Sequence, residues 1–298
     1  MNVEAETRIT LKNMLFLTDL SQSSLTALPF ALAFARERGA TVHVLHVLAP
    51  AADRDTTPHS APGRLEAHGA SAGAEMQRIA AHLGGLPYAL MNGRGIEGWA
   101  ALERVLSNRG IDLIIMATHG RMDGRKLLLS SLAEEIFQCS RVAVLTIGPG
   151  VRSDCHNGAR FHRVLFATDF TPGSVAAARY AVSVAQENQA RLILMHVIQM
   201  PGQRKQQMLA DPSAAEVMYK LSELVPTTAE LRCCSETVVD YGDPGEKILE
   251  GATRRGTDLI VLGLRDVTSH LGGAAHPEWI TGRQVVTRAT CPVLTVRG

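Results

Sequence analysis

A glycine, two adjacent serines and a glutamate near the middle of the chain have the types and spacing of an anion site. Gly120 lies in a loop that follows a buried apolar strand, and a helix is predicted to begin near Ser130. A strand, a loop and a helix N-terminus in this order present free backbone N–H groups to an anion, most often a phosphate. Ser130 and Ser131, followed by Glu134, also match the capping box of a helix start. The chemistry that these residues predict is phosphate binding.

Charged side chains beside this loop and at the ends of two strands are further candidates for ligand contact. His119 and Arg121 flank Gly120 and are placed to meet a phosphate, and the alternative is a solvated loop. Asp19 and Asp169 each end an apolar strand, at the carboxyl edge where open α/β sheets bind ligands. The alternative for both aspartates is a turn or a helix N-cap.

Composition argues against several classes of function. The 298 residues suffice for two domains of about 150 residues each. The formal net charge is +1, so no electrostatic feature favours nucleic acid or a membrane surface as a partner. No apolar run approaches the roughly 18 residues of a membrane span, and the N-terminus lacks the apolar core of a secretory signal. Five cysteines without a CxxC pair fit a reduced compartment, so we expect a cytoplasmic protein.

Strands alternate with helices throughout the first half of the sequence. After the first strand the apolar spacing predicts one continuous helix, with Leu25, Leu28 and Ala31 on one face and Gly39 at its end. This alternation predicts a parallel sheet covered by helices on both faces. The predicted strands are Asn13–Thr18, Thr41–Leu48, Leu86–Met91, Leu113–Met116 and Val142–Ile147, and the later helices are Arg64–Leu83, Gly98–Arg109 and one from near Ser130.

The second half of the chain repeats the first. Arg163–Asp169 (RVLFATD) matches Asn13–Asp19 (NMLFLTD) at an offset of 150 positions. Asp258–Ile260 (DLI) follows the identical tripeptide Asp112–Ile114 by 146 positions. The segment between the copies, residues 148–160, is rich in glycine and polar residues and reads as a linker. The sequence therefore predicts an internal duplication of a whole domain.

These repeated motifs make the chain resemble the universal stress protein family in its tandem form. The resemblance covers both halves, and it depends on the first strand ending in Asp, the second ending in His-Val, the Asp-Leu-Ile strand and the closing VAVLTI or CPVLTV strand. It implies two doubly wound, mostly parallel five-stranded sheets of the adenine nucleotide α-hydrolase-like class, paired about a pseudo-twofold axis. The expected domains are residues 1–149 and 161–298, with a linker at 150–160.

The resemblance also implies a ligand. Nucleotide-binding members carry a loop of Gly, two residues, Gly, nine residues, then Gly and Ser or Thr. In such members the Asp that ends strand one and the Val that ends strand two hold the adenosine end of ATP, and the loop holds the phosphates. For this chain the resemblance implies ATP, with Mg²⁺, in the first half. The implied contact residues are Asp19, Val47, Ala117, His119, Gly120, Arg121, Ser130 and Ser131.

Both halves depart from this loop pattern. In the first half Ala117 and Ser130 replace the outer glycines, and alanine removes access to positive φ and adds a methyl group beside the ligand. In the second half Asp266 replaces the middle glycine and puts a carboxylate where a phosphate would bind. We therefore expect the second half not to bind ATP as the family does. The alternative is a different ligand around Asp169 and Gly272–Gly273.

Three other patterns have simpler explanations than a functional site. Gly93–Gly98 matches GxGxxG, but it follows the third strand, whereas a dinucleotide fold needs it after the first. Its counterpart, Gly242–Gly245, is predicted to be a helix-start turn. His46 and His196 lie in strands and are predicted to be satisfied, partly buried histidines rather than metal ligands. Cys233–Cys234 have no neighbour in sequence that would activate a thiolate.

Three functions from different classes are compatible with these observations. The first is a stress-response regulator that binds ATP in its first domain and acts through a conformational or partner-binding change, with at most weak hydrolysis. The second is an interaction module without a nucleotide, which the departures in both loops favour. The third is an enzyme on an adenylate-forming scaffold, which lacks a recognisable catalytic set. We expect a homodimer of tandem chains, an unidentified protein partner, and no nucleic-acid or membrane partner.

Overall fold

The computed structural model describes residues 8–47, 62–93, 98–118, 131–151, 160–199, 212–226, 235–264 and 277–298. The chain divides into two compact units, Leu11–Phe137 and Gln138–Gly298, and the second also includes the N-terminal residues up to Thr10. Both units consist of helices and mostly parallel strands. The predicted α/β class is therefore confirmed.

The first unit contains a parallel sheet with the strand order β3-β2-β1-β4. Its central strand β1 buries Met14, Leu15 and Phe16 completely, because helices cover both faces of a parallel sheet. This double burial explains why the strands are continuous apolar runs in the sequence. The elements are β1 (Asn13–Thr18), α1 (Gln22–Leu25), α2 (Leu28–Arg38), β2 (Thr41–His46), α3 (Pro62–His82), β3 (Tyr88–Asn92), α4 (Trp99–Arg109), β4 (Leu113–Ala117) and α5 (Ser131–Cys139), which runs across the unit boundary.

The second unit contains the strand order β5-β10-β9-β6-β7-β8, in which only the β5–β10 pair, of the pairs described, is antiparallel. β5 closes the first sequence repeat, yet it pairs with the last strand of the second repeat, Leu145 opposite Leu294. The elements are β5 (Ala143–Ile147), β6 (Arg163–Ala167), α6 (Pro172–Asn188), β7 (Arg191–Ile198), α7 (Pro212–Glu223), β8 (Ser235–Tyr241), α8 (Pro244–Arg255), β9 (Leu259–Leu264), α9 (Pro277–Arg288) and β10 (Val293–Arg297).

The first helix of the first repeat differs from the sequence prediction. One continuous helix was expected, but the structure has α1 and α2 as separate helices with Thr26 and Ala27 between them. Pro29 is the reason, because proline has no N–H to donate to the carbonyl of Leu25 and its ring clashes with that carbonyl. The second repeat has Arg179 at the corresponding position, and α6 there is one unbroken helix of 17 residues.

The third strand also begins later than predicted. It starts at Tyr88 instead of Leu86, since the backbone N–H of Leu86 donates to the carbonyl of Leu83 (2.9 Å) in a turn at the end of α3. That turn holds Leu86 out of the strand ladder.

The aspartate of each Asp-Leu-Ile motif holds the start of the neighbouring strand. Asp112 Oδ2 accepts hydrogen bonds from the backbone N–H groups of Lys12 (2.7 Å) and Asn13 (2.9 Å) at the start of β1. Asp258 Oδ2 accepts the equivalent pair at the start of β6, from residues 162 and 163, at 2.7 and 2.8 Å. The aspartate of the motif therefore aligns two neighbouring strands in each repeat. These strands are β1 and β4 in the first repeat and β6 and β9 in the second.

None of the described helices combines the length and the apolar character needed to cross a bilayer.

Candidate functional site

The carboxyl edge of the first sheet brings together three of the predicted contact residues. β1 has β2 on one side and β4 on the other, and all three run parallel. Asp19 follows β1, Val47 follows β2, and Ala117 is the last residue of β4. The Val47 N–H donates to the carbonyl of Thr18 (2.9 Å), which ties the end of β2 to the end of β1. Because ligands of open α/β sheets bind at this edge where the strand order reverses, between β1 and β4, the position agrees with the predicted site.

The turn after β1 is built by its own polar side chains. The Ser21 N–H donates to Asp19 Oδ1 (2.9 Å), and the Ser24 N–H donates to Ser21 Oγ (3.1 Å) as a helix N-cap. The buried Thr18 hydroxyl shares a hydrogen bond with Ser24 Oγ (2.8 Å) and accepts the N–H of Leu20 (2.9 Å). Asp19 therefore has the turn role that was its alternative explanation, and contact with a ligand stays a prediction.

The second repeat builds the same turn. The Thr171 N–H and hydroxyl both donate to Asp169 Oδ1, at 3.0 and 2.7 Å. The Thr168 hydroxyl bonds Ser174 Oγ (2.9 Å) and accepts the N–H of Phe170 (3.0 Å). Leu20 and Phe170, the residues after the two aspartates, have left-handed φ values of 60° and 63°. A non-glycine residue at positive φ is unusual, so its presence at both turns indicates that the surrounding hydrogen bonds enforce it.

The sequence carries a signal for this network, because the same pattern occurs in both copies. The pattern is Thr-Asp-x-[Ser/Thr]-x-x-Ser, as TDLSQSS at 18–24 and TDFTPGS at 168–174. Only its aspartate was predicted to be a site residue. The pairing of the threonine with the last serine depends on how the helix start folds back onto the strand end, which the spacing alone does not give.

The loop predicted to contact the phosphates, residues 119–130, lies outside the described residues. His119, Gly120, Arg121 and Ser130 lie outside the described residues, and Ser131 is the first residue of α5. In the second repeat Asp266 and Gly272–Gly273 likewise lie outside the described residues. The phosphate end of the site therefore stays a prediction in the first repeat, as does its loss in the second.

His196 makes the satisfied contact that its strand position predicted. Its Nδ1–H donates to the carbonyl of Thr168 (2.7 Å), and its ring lies against Phe170 with 4.9 Å between centroids. His46 is buried at the equivalent place in the first repeat. In the described part of the chain, no group of three or more His, Cys, Asp or Glu side chains is arranged to hold a metal ion.

The first-glycine position of the loop motif has a different role from the one expected. Gly263 holds this position in the second repeat, and it is not among the glycines with positive φ. A Cβ atom there would lie 2.1 Å from Ser174 Cα and 2.6 Å from the carbonyl oxygen of Gly173. Glycine is therefore required for close approach of α6 to β9, not for a left-handed conformation. Ala117 occupies the same position in the first repeat.

The GxGxxG match has a structural role. A Cβ on Gly93 would lie 2.4 Å from the carbonyl oxygen of His46, so this glycine allows β3 to end close to β2. Gly98 has φ 79° and precedes α4, whose first N–H, from Trp99, donates to Glu135 Oε2 (2.8 Å). A dinucleotide fold would place a pyrophosphate at such a helix N-terminus, and the Glu135 carboxylate already occupies it. In the second repeat Asp243 caps α8, as the predicted helix-start turn requires.

Groups with shifted pKa values include His43 in the first repeat and Glu246 in the second. Burial lowers the pKa of His43, and the charge of Arg109 lowers it further. His43 lies near the amino end of β2, where its Nε2 contacts Asn13 Oδ1 (3.3 Å). In the second repeat the hydrogen bond from Arg288 lowers the pKa of Glu246.

The chain is similar to known proteins in both sequence and structure. The sequence model described as "Universal stress protein family" matches residues 10–148 and 160–297. Universal stress protein YxiE of Bacillus subtilis is 28% identical over 160 residues, covering 46% of this chain and 99% of that protein. A universal stress protein of Thermus aquaticus is 30% identical over 146 residues, covering 46% of this chain and 99% of that protein. The crystal structure of a universal stress protein from Archaeoglobus fulgidus covers 97% of this chain and 99% of its own, with 21% identity and a TM-score of 0.65.

Proposed function

Because this chain belongs to the universal stress protein family, whose sequence model matches both of its halves, we propose that it is a regulatory protein of the stress response that binds ATP in its first repeat. The observation that carries the proposal is the convergence of Asp19, Val47 and Ala117 at one carboxyl edge, beside the strand that leads into the predicted phosphate loop. In this proposal, the species that binds is the Mg²⁺ complex of ATP.

Each part of the nucleotide has an assigned position in this proposal. The adenosine end contacts Asp19 and Val47, and the phosphates contact the loop after β4 and the N-terminus of α5. A helix N-terminus favours an anion through its free N–H groups and its dipole. ATP acts by changing conformation or partner binding, with at most slow hydrolysis, and the chain forms a homodimer.

A matched pair of variants tests the site. Asp19→Ala removes the carboxylate in the first repeat, and Asp169→Ala removes its counterpart in the second. Each aspartate accepts a backbone N–H in the same turn, at 2.9 and 3.0 Å, and Asp169 also accepts the Thr171 hydroxyl (2.7 Å), so the stability of each variant is measured beside its ATP binding. Asp19→Ala should weaken ATP binding by about tenfold, equivalent to about 1.4 kcal/mol, while Asp169→Ala leaves it unchanged. Isothermal titration of each variant with Mg-ATP measures both effects.

Ligand release and thermal unfolding complete the test. Wild type is purified and denatured, and its released small molecules are identified by mass spectrometry. ATP at 100 times its Kd should stabilise the folded chain by about 2.7 kcal/mol. Absence of bound nucleotide together with no stabilisation by ATP would contradict the proposal, and so would equal loss of binding in the two aspartate variants. Rapid conversion of ATP to ADP or AMP would instead favour an enzyme.

A second candidate is an interaction module that binds no nucleotide. The observation in its favour is that the Asp19 turn, the Thr18 hydroxyl and the Ser24 hydroxyl are hydrogen-bonded within the protein. The same titration separates the two candidates.

A further inference from the structure

The helix α4 takes its N-terminal cap from another helix. Its N-cap residue is Gly98, which has no side-chain oxygen of the kind that Ser, Thr, Asp or Asn supplies at this position. Glu135 of α5 supplies one instead, because its Oε2 accepts the N–H of Trp99 at 2.8 Å. A Cβ atom on Gly98 would lie 3.5 Å from the same oxygen, so the carboxylate lies directly against the helix start. One carboxylate therefore links α5 to the N-terminus of α4.

The second repeat links the equivalent helices in a different way. Asp243 caps α8 from within its own chain segment, by accepting the N–H of Glu246 at 2.9 Å. Gln284 is the counterpart of Glu135, because each lies nine residues before the Val-Leu pair of its closing strand. Gln284 Nε2 donates to Glu246 Oε1 (2.7 Å), and Arg288 bonds both oxygens of the Glu246 carboxylate. The cap of α8 therefore does not depend on α9.

The first repeat lacks the residues for this side-chain network. Ala100 aligns with Glu246 and Cys139 with Arg288, so the ion pair between the two helices cannot form. Glu135 instead directs its carboxylate to the backbone of α4. A hydrogen bond to an ionised acceptor is roughly twice as strong as one between neutral groups, and a negative charge is favourable at a helix N-terminus. Glu135 therefore takes the role that three side chains share in the second repeat.

The position of Glu135 within α5 gives this bond its consequence. The helix begins at Ser131, and at 1.5 Å per residue Glu135 lies about 6 Å along the axis from that start. The core side of α5 is held by the buried side chains of Ala133 and Ile136. Apolar packing is non-directional, whereas the hydrogen bond to Trp99 has a fixed direction. The bond therefore sets the orientation of the first turn of α5.

We propose that Glu135 is a positioning residue, whose carboxylate caps α4 and thereby fixes the first turn of α5, on which the phosphates of the nucleotide bind. The inference rests on the proposed function, because it concerns the phosphate end of the same site. The free N–H groups of a helix N-terminus stabilise an anion only when they point at it. A tilt of α5 would turn these groups away from phosphates whose adenosine end is held at Asp19 and Val47. Glu135 acts through the helix and needs no contact with the ligand.

Four proteins test this inference: wild type, Glu135→Gln, Glu135→Ala and Gln284→Ala. The glutamine variant keeps an oxygen that can accept the Trp99 N–H, whereas the alanine variant loses the acceptor. Isothermal titration with Mg-ATP should show binding about fivefold weaker in Glu135→Ala and within about twofold of wild type in Glu135→Gln. Gln284→Ala, the matched change in the second repeat, should bind like wild type. Unaltered binding in Glu135→Ala would overturn the inference. So would tighter binding in Glu135→Gln, since the carboxylate would then act by repelling the phosphates.

Adenosine separates positioning of α5 from a general loss of structure. It has no phosphates, so wild type and Glu135→Ala should bind it within about twofold of each other. An equal loss of affinity for adenosine and for Mg-ATP would contradict the inference, because the whole site would then be disturbed.

Amide hydrogen exchange gives a readout that needs no nucleotide. In Glu135→Ala the amides of Trp99 and of residues 135–138 should exchange faster than in wild type, while Glu135→Gln stays close to wild type. Faster exchange at Trp99 alone would refute the inference, because α5 would then keep its position without the bond. If wild type binds no Mg-ATP, the proposed function fails, and the exchange of α5 alone decides whether Glu135 fixes this helix. Thermal unfolding verifies that each variant is folded.

Discussion

At the scale of single residues, the same few polar groups shape the turn after the first strand of each repeat. The threonine hydroxyl accepts the N–H of a residue with left-handed φ, and the aspartate carboxylate accepts the N–H of the residue after it. These bonds hold each aspartate at the carboxyl edge of its sheet. The position of its carboxylate is therefore set by the turn itself.

His43 gives a prediction about pH. Its Nδ1 is buried without a hydrogen-bond partner in the described structure, and burial lowers its pKa below the ordinary value of 6.5. The unfolded chain therefore takes up a proton before the folded chain does. Stability should be full above the unfolded pKa and fall as the pH drops below about 6.5. Urea unfolding at pH values between about 5 and 8, the range in which histidine titrates, measures the loss of stability.

The control for this prediction is a substitution of His43 itself. His43→Gln should flatten the fall in the free energy of unfolding at low pH. An identical pH dependence in wild type and His43→Gln would show that protonation of His43 does not limit stability.

At the scale of elements, the Asp-Leu-Ile motifs align the central strands. Asp112 accepts two backbone N–H groups from the start of β1, and the charge of the carboxylate strengthens both bonds. Asp112→Ala would leave these N–H groups without their acceptor and should lower the free energy of unfolding by about 2 kcal/mol. Chemical denaturation of the full chain measures this value. Asp112→Asn retains one acceptor oxygen and should lose less, and equal losses in the two variants would argue against the alignment role.

Much of the element order could be predicted from the sequence. β1 and β6 were located because strands buried on both faces are continuous apolar runs. The break at Pro29 was missed because Leu25, Leu28 and Ala31 keep a helical spacing across it. The role of Gly263 could not be predicted, since it depends on the approach of a helix 90 residues earlier in the chain. In the candidate site, the edge residues were placed by their strands, and a turn was the alternative given for both aspartates, but the pairing of each threonine hydroxyl with a serine hydroxyl was not foreseen.

At the scale of the whole molecule, the compact units do not coincide with the sequence repeats. β5 belongs to the first repeat, but it packs in the second unit with all five of its residues buried. The Thr146 hydroxyl donates to the carbonyl of Val293 (3.0 Å), and the Thr295 hydroxyl donates to that of Val144 (3.3 Å). The strand is therefore part of the core of the unit that follows it.

Two fragments test this assignment. A fragment of residues 138–298 should unfold cooperatively, because it retains β5. A fragment of residues 161–298 should be less stable by several kcal/mol, on the order of the cost of exposing one buried strand. Circular dichroism during urea unfolding compares the two. Equal midpoints would mean that β5 contributes nothing to the second unit, and Leu145→Asp in the longer fragment should reproduce the loss.

The β5–β10 pair can form only after both strands have been synthesised. β5 leaves the ribosome about 150 residues before β10, which at 5–20 residues per second is a delay of roughly 7–30 s. Throughout that interval an apolar strand, Ala143–Ile147, is without its β10 partner. We therefore expect newly made chains to expose β5 to chaperones, or to another nascent chain on the same messenger RNA, during this interval.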